Sequence, residues 1–191
     1  MKHKPLLCHA TRGRSDRHEK TRGFTIVELL IVIVVIAVLA AITIVAYNGV
    51  QQRARDAERV TDVRAISKGL EIYKAQNGQY PTHVSSTGQG GYEISVPTAS
   101  NSDFLAVLRT SGVISKVPID PTNTGDMNTA GSKLYAYYLY PAGFGGCDAA
   151  RGPYYILFAR TGESASSSGQ TNFSCPSLTW GGYLVVGGFT N

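Results

Sequence analysis

The sequence predicts an α+β protein with one long N-terminal helix, whose first half spans a membrane and whose second half packs on a C-terminal antiparallel β-sheet head. Three observations predict this fold. An uncharged apolar run fills residues 29–46, a helical apolar stripe follows over 47–77, and short aromatic and β-branched runs lie among loops in 78–191. Strands that follow a helix, rather than alternate with helices, favour an antiparallel sheet.

The apolar run from Leu29 to Ala46 contains 18 residues, and Thr43 is its only polar member. At about 1.5 Å per residue it covers roughly 27 Å, close to the hydrocarbon thickness of a bilayer. The buried core helix of a soluble protein is the alternative, but this run is apolar on every side and follows a basic flank. We therefore predict that residues 24–46 form a transmembrane helix.

The charge of the chain is concentrated before this helix. Residues 1–23 hold seven of the 18 basic side chains and two of the 13 acidic ones, so they carry the whole formal net charge of +5. The basic members are Lys2, Lys4, Arg12, Arg14, Arg17, Lys20 and Arg22. A basic flank before an apolar span places the N-terminus in the cytoplasm and the rest of the chain outside. Because residues 24–191 are neutral, no nucleic-acid-binding surface is indicated.

An amphipathic continuation of the helix is predicted over residues 47–77. Its apolar members recur at spacings of mostly three and four: Val50, Ala54, Ala57, Val63, Ile66, Leu70 and Tyr73. The residues between them form a mixed-charge face that we expect to be solvated: Arg53, Arg55, Asp56, Glu58, Arg59, Asp62, Arg64 and Lys68. Asn77-Gly78 supplies a left-handed cap, and Pro81 prevents the helix from resuming.

The head, residues 78–191, is predicted to hold four strands, a short helix and loops. Aromatic and β-branched residues predict strands at 92–96, 133–140, 153–161 and 182–189. The short helix covers Ser102–Ser111, with Ser102 or Asn101 as its N-cap and Gly112 closing it. Residues 164–172 are rich in Ser and Gly and read as a loop.

Two cysteines of the head, Cys147 and Cys175, can pair if the head reaches an oxidising compartment, whereas Cys8 lies in the basic segment. A disulfide between them contributes roughly 3 kcal/mol on the chain-entropy model. Two unpaired thiols, or a metal pair without further ligands, are the alternatives.

The junction at residues 22–30, with the sequence RGFTIVELL, resembles the type III signal of type IV pilins and type II secretion pseudopilins. The likeness includes the basic leader, Gly23, Phe24, Glu28 five positions after the cut, and the apolar run. It implies a pilin-like fold, cleavage between Gly23 and Phe24 by prepilin peptidase, and methylation of the new Phe24 amine. An ordinary secretory signal fits poorly, because no A-x-A site follows the run.

Glu28 admits two interpretations. Thr25 and Glu28 have the spacing of a capping box, which ties up the first N–H groups of a helix. A carboxylate in an apolar segment also costs a few kcal/mol unless it finds a partner. The resemblance implies that this partner is the Phe24 amine of a neighbouring subunit, so that Glu28 sets the register of assembly.

Other features add to the resemblance or depart from it. Residues 78–81 (GQYP) and 117–121 (VPIDP) look like loop motifs of major pseudopilins. Val45 stands where many type IVa pilins have a kinking proline, and Ala37 where many pilin-like chains have glycine. Some major pseudopilins bind calcium near the C-terminus, but Arg160–Gly169 offers Glu163 without an aspartate pair, so no metal or other cofactor is predicted.

These observations predict a structural subunit of a type IV pilus or pilus-like filament and not an enzyme. A pseudopilin of a type II secretion system is the alternative, as is a monomeric membrane-anchored surface binding protein. The partners implied by the resemblance are further copies of the chain, other pilins, the prepilin peptidase/methyltransferase and an inner-membrane assembly platform. The protein is expected in the cytoplasmic membrane with its N-terminus inside, and then in an extracellular or periplasmic filament.

Overall fold

A computed structural model describes residues 23–86, 90–163, 173–178 and 184–191. The chain divides into two compact units, Met1–Thr43 and Ile44–Asn191. Helix α1 (Ile26–Asn77) begins in the first unit and ends in the second. The leader predicted at residues 1–23 lies outside the described residues apart from Gly23.

In the first unit, α1 is apolar and exposed over its whole circumference. Among the described residues it is the one helix that is long and apolar enough to cross a membrane, judged by length and composition. The large apolar side chains from Ile26 to Val45 are all at least half exposed. Thr43 satisfies its hydroxyl within the helix by donating to the Ala40 carbonyl at 2.9 Å.

The C-terminal end of α1 has the cap that the sequence predicts. Gly78 adopts a φ of +78°, the left-handed conformation that glycine enters at low cost. Its N–H donates to the Lys74 carbonyl at 2.7 Å. The Asn77 side chain donates to the Tyr73 carbonyl at 2.9 Å, so two of the last helical carbonyls are satisfied.

The second unit contains a four-stranded antiparallel sheet in sequence order, which confirms the predicted fold class. Its strands are β1 (Glu93–Ile94), β2 (Tyr135–Tyr140), β3 (Tyr154–Ala159) and β4 (Leu184–Phe189). Each strand lies within a predicted strand. β1 and β3 are three residues shorter than predicted, and β2 is two residues shorter. The fourth predicted strand begins at residue 182, and residues 182–183 lie outside the described residues. In the register, Tyr137 pairs with Leu157, which in turn pairs with Val186.

Alternation along the strands divides the core between the two faces of the sheet. Odd-numbered residues of β2 and β3, such as Tyr137 and Tyr155, pack with Val63, Ile66 and Leu70 of α1. Even-numbered residues point to the other face, into a second core cluster: Ala136, Tyr140, Tyr154, Ile156 and Phe158, with Cys147, Phe173 and Cys175.

Part of the predicted apolar stripe on α1 is not covered in this chain. Val63, Ile66 and Leu70 are fully buried, but Val50 is 63% exposed and both Ala54 and Ala57 are exposed. The prediction that the sheet buries the whole stripe is therefore wrong for its first turns. Within the stripe, burial against the sheet begins at Val63.

The short helix α2 covers Ala106–Thr110, less than the predicted Ser102–Ser111. Its N-cap is Leu105, at a φ of +46° and without a side-chain cap, so Ser102 and Asn101 do not cap it. The buried Glu93 carboxylate accepts the Leu105 N–H at 2.6 Å instead. Gly112 closes the turn after α2 as predicted, with its N–H donating to the Arg109 carbonyl at 3.1 Å.

Candidate functional site

The predicted cleavage junction precedes the first turn of α1 and is accessible. Phe24 is 82% exposed, and a methyl group added at Gly23 would meet no atom within 4 Å. The helix begins at Ile26, two residues after the predicted cut. The junction is therefore an open segment that an enzyme can contact, although cleavage and methylation themselves stay predictions.

Thr25 and Glu28 form the capping box that their spacing allows. The Glu28 Oε2 accepts from the Thr25 N–H at 2.7 Å and from the Thr25 hydroxyl at 2.8 Å. In return the Glu28 N–H donates to the Thr25 hydroxyl oxygen at 3.2 Å. In the uncut chain the carboxylate is thus held by its own helix. The assembly role of Glu28 remains a prediction.

The surface that follows Glu28 is a continuous apolar cylinder. Monomeric soluble proteins rarely expose contiguous apolar patches of more than a few hundred Å². A helix that is apolar on all sides needs lipid or other helices around it. This arrangement suits membrane insertion and helix-to-helix assembly, and it supplies no group for bond chemistry.

A buried ion network in the second unit is the feature that the sequence did not predict. Arg59 is only 2% exposed, whereas its pattern placed it on the solvated face of the helix. Its Nε and Nη2 donate to the two carboxylate oxygens of Asp120 at 2.7 and 2.9 Å. Its Nη1 donates to Asp56 at 2.8 Å, and Nη2 also donates to Glu163 at 2.8 Å. Three carboxylates from separate segments thus meet one guanidinium.

Arg55 completes the network at its rim. Its Nε donates to both Glu163 oxygens at 2.9 and 3.0 Å. The Arg55 hydrogen bonds, with the help of Arg59, lower the pKa of Glu163 to about 2. Burial acts to lower the pKa of Arg59, but the hydrogen bonds that Arg59 donates to Asp120 and Glu163 outweigh it and raise that pKa.

One sequence signal for this network existed. Asp120 belongs to the VPIDP stretch at 117–121, which resembles a loop motif of major pseudopilins. Within this loop the Asp120 carboxylate accepts the Thr122 and Asn123 N–H groups at 2.9 and 3.3 Å. Its main partner is Arg59, 61 residues earlier in the chain. A single sequence does not reveal such a pair.

The structure pairs the two cysteines of the head. Cys147 and Cys175 form a disulfide with Cα atoms 5.0 Å apart, within the range that disulfides allow. Cys147 follows a short 3-10 turn, Phe144–Gly146, and Cys175 follows the undescribed residues 164–172. The bond therefore joins two loops that cover the same face of the sheet.

The ring of His83 packs against residues of strand β2. Its ring stacks on Tyr138 with centroids 4.0 Å apart, and its Nδ1 accepts the Leu139 N–H at 3.3 Å. Burial lowers the pKa of His83, which favours its neutral form. His83 is therefore a loop residue that packs against strand β2.

Comparisons with known proteins agree with these features. Residues 20–44 match the family model described as a prokaryotic N-terminal methylation motif. The chain is 33% identical over 125 residues to the type II secretion system core protein G of Escherichia coli K12, covering 65% of this chain and 83% of that protein. It is 33% identical to the proteins of the same name from Aeromonas hydrophila and Vibrio cholerae, in each case over 66% of the relative. No solved structure matches the chain.

Three features together define a pilin-like protein. They are a methylation motif, an exposed apolar helix, and a small antiparallel sheet packed on the end of that helix. The chain belongs to the type IV pilin and pseudopilin family, as a relative of type II secretion system core protein G.

Proposed function

We propose that this protein is a pseudopilin, the repeating filament subunit of a type II secretion system. The observation that carries the proposal is the similarity to the E. coli core protein G over 83% of that protein's length. The sequence alone favoured a type IV pilus or pilus-like filament, and the comparisons support the pseudopilin alternative better. The resemblance of residues 117–121 to a loop of major pseudopilins agrees with it.

Processing is the first step of the proposed function. Prepilin peptidase cuts between Gly23 and Phe24, which removes the basic leader and leaves the apolar helix on the mature protein. The open junction before Ile26 supports this step. Mass spectrometry of filament or membrane material should find an N-terminus at methylated Phe24. A mature protein that begins at Met1 would rule the proposal out.

Assembly then depends on Glu28. The exposed apolar helices of neighbouring subunits pack together, and the Glu28 carboxylate pairs with the Phe24 amine of the next subunit. An unpaired carboxylate costs a few kcal/mol in an apolar surrounding, so the pair fixes one register. The peptidase makes this amine available only by cleaving the chain, which orders processing before assembly.

Glu28→Ala tests this step. We expect normal membrane insertion and cleavage, but a filament yield reduced roughly ten-fold or more, because the lost pair is worth at least 1.4 kcal/mol. Thr43→Val is the matched control, since the Thr43 hydroxyl bonds only within its own helix in the described structure. Normal filaments from Glu28→Ala would favour the monomeric membrane-anchored alternative.

The choice between pseudopilus and pilus is tested in the cell. A strain without this protein should retain its exported enzymes in the periplasm while surface pili are unchanged. Loss of surface pili with normal export would instead favour the type IV pilus hypothesis. Complementation with the Glu28→Ala variant links either phenotype to assembly.

A further inference from the structure

Phe144 is an exposed aromatic side chain on a loop that several contacts hold in place. It is 49% exposed, although its ring stacks on Tyr140 with the centroids 4.8 Å apart. The Phe144 carbonyl accepts the Tyr154 hydroxyl at 3.0 Å and the Cys147 N–H at 3.2 Å. The disulfide from Cys147 to Cys175 anchors the end of the same loop. An apolar ring on a preorganised loop loses little conformational freedom on binding, so Phe144 is suited to insertion into a cavity.

A cavity of about 240 Å³ lies between the loop after β1 and the loop after α2. Four apolar residues line this Ile119 cavity: Pro97, Phe104, Val117 and Ile119. Ile119 is 48% exposed, so part of the apolar wall faces solvent. Because an apolar cavity of about 150 Å³ holds a benzene ring, the Ile119 cavity has room for the side chain of a phenylalanine.

The charges around the Ile119 cavity and around Phe144 are complementary. Two cations and one carboxylate also line the cavity, and the carboxylate of Asp103 pairs with Arg109, which leaves the charge of Lys116 in excess. Lys116 is exposed, and so is Asp148, which lies four residues after Phe144. A segment with Phe144 and Asp148 therefore offers one ring for the cavity and one carboxylate for Lys116.

Phe144 and the Ile119 cavity lie at opposite ends of strand β2. Ser95, which lines the cavity, donates its N–H at 2.9 Å to the carbonyl of Tyr135, the first residue of β2. Phe144 stacks on Tyr140, the last residue of β2. The six residues of this strand span roughly 17 Å, so a chain cannot place its own Phe144 in its own cavity. The contact requires a second copy of the chain.

The direction from the cavity to Phe144 follows helix α1. At the start of β2, the Tyr135 hydroxyl donates to Asp62 at 2.8 Å. At the other end of the sheet, Lys74 donates to the Phe189 carbonyl at 2.7 Å. The line from the cavity to Phe144 therefore runs from the Asp62 turn of α1 toward the Lys74 turn. Two copies with parallel helices, shifted along the helix axis, would bring Phe144 of one next to the cavity of the other.

We infer that Phe144 and Asp148 of one copy dock on the Ile119 cavity and Lys116 of the next copy, which links successive heads along the filament. The inference rests on the proposed function as a filament subunit. The contact joins two different surfaces, and repetition of such a head-to-tail contact produces a helical filament instead of a closed dimer. It gives the heads a specific contact in addition to the packing of the apolar helices.

Photocross-linking tests the position of Phe144 in the assembled filament. Replacing Phe144 by the photoreactive analogue p-benzoyl-phenylalanine keeps an aromatic side chain at this position. Irradiated filaments should yield cross-linked dimers, and mass spectrometry should locate the new bond within residues 97–119. Filaments dissolved in detergent before irradiation should yield no such dimers. The matched control carries the same analogue at Ile72, an exposed apolar residue of α1, and should form no bond to residues 97–119.

Charge reversal tests the pair between Asp148 and Lys116 without the analogue. Asp148→Lys and Lys116→Asp should each reduce the filament yield roughly three-fold, because like charges then meet at the contact. The variant with both substitutions should recover the yield of the unsubstituted protein, since the pair is restored with its charges exchanged. Both side chains are exposed, so the substitutions leave the core of the head intact.

The outcomes separate this inference from the proposed function. Filaments that form normally, but whose cross-links from position 144 lie outside residues 97–119, would overturn the inference and leave the proposed function standing. The same holds if the double charge reversal yields no more filaments than the single ones. If the unsubstituted protein forms no filaments, the proposed function is wrong, and the inference is wrong with it.

Discussion

Glu163 lies 108 residues after Arg55 and 104 after Arg59, yet its carboxylate accepts hydrogen bonds from both. The Glu163 N–H also donates to Asp56 at 2.9 Å. One residue thus joins the segment after β3 to two turns of α1. Its pKa of about 2, against an ordinary value of 4.5, makes this junction sensitive to acid.

The pH dependence of stability should report this residue. Because the pKa of Glu163 is lower in the folded protein, its ionised form stabilises the fold above pH 4.5, and this stabilisation is lost as the pH falls toward 2. The contribution is roughly 3 kcal/mol at most. Glu163→Gln should be less stable than the unsubstituted protein at pH 7, and the difference should shrink at pH 2 in urea unfolding. Asp103→Asn, which breaks the exposed pair with Arg109, should change little.

Two groups of residues on α1 show which assignments the sequence could make correctly and which it could not. Val63, Ile66 and Leu70 were correctly assigned to the core because hydrophobic spacing is a local signal. Arg59 was wrongly assigned to the solvated face. Its partners Asp120 and Glu163 are distant in the chain, and a charge on a helix usually points to water. Only the tertiary fold brings the counter-charges to it.

At the scale of the elements, two glycines of α1 have opposite environments. A methyl group at Gly69 would lie 2.9 Å from the Ile114 Cγ1, so the glycine allows the segment after α2 to approach the helix closely. A methyl group at Gly49 would meet no atom within 4 Å. The two positions therefore separate helix propensity from packing.

We expect Gly49→Ala to stabilise the helix by up to about 1 kcal/mol, since alanine loses less backbone entropy. Gly69→Ala should instead destabilise the protein by about 1 kcal/mol or more, because overpacking outweighs the same gain. Urea unfolding of both variants measures the two effects. A Gly69→Ala protein as stable as Gly49→Ala would mean that Ile114 moves aside freely.

The disulfide should stabilise the head through the chain that it closes. Cys147 and Cys175 are 28 residues apart, which corresponds to roughly 3 kcal/mol on the chain-entropy model. The double variant Cys147→Ser/Cys175→Ser should lose about this much free energy of unfolding. Reducing agent should destabilise the unsubstituted protein but leave the double variant unchanged. An equal response of both proteins to the reductant would contradict the assignment.

The order of the elements followed from local patterns, but their edges did not. Runs of aromatic and β-branched residues located all four strands, and the strands end where pairing in the sheet ends. The short helix was extended too far toward Ser102, because the buried Glu93 draws the Leu105 N–H away from a regular first turn. The sequence assigned the apolar stripe at Val50–Ala57 to the core, but the described part of the chain leaves Val50, Ala54 and Ala57 exposed.

At the scale of the whole molecule, the charge distribution and the positions of the cysteines favour the same orientation of the chain in the membrane. The excess basic charge lies in residues 1–23, and the paired cysteines lie in the second unit. Positive charge before an apolar helix retains that end in the cytoplasm, where disulfides rarely form. We therefore predict that the head acquires its disulfide on the other side of the membrane.

This argument makes the Cys147–Cys175 bond a reporter of topology. Replacing Arg17, Lys20 and Arg22 by Gln removes three positive charges close to the span and should leave a larger fraction of heads in the cytoplasm with free thiols. Alkylation and gel mobility under non-reducing conditions measure that fraction in cells. The matched control replaces three cations beyond the span, Arg53, Arg64 and Lys68, and should leave the disulfide fully formed. If both triple variants form the disulfide equally, the leader charge does not set the orientation, and the apolar helix must do so by another signal.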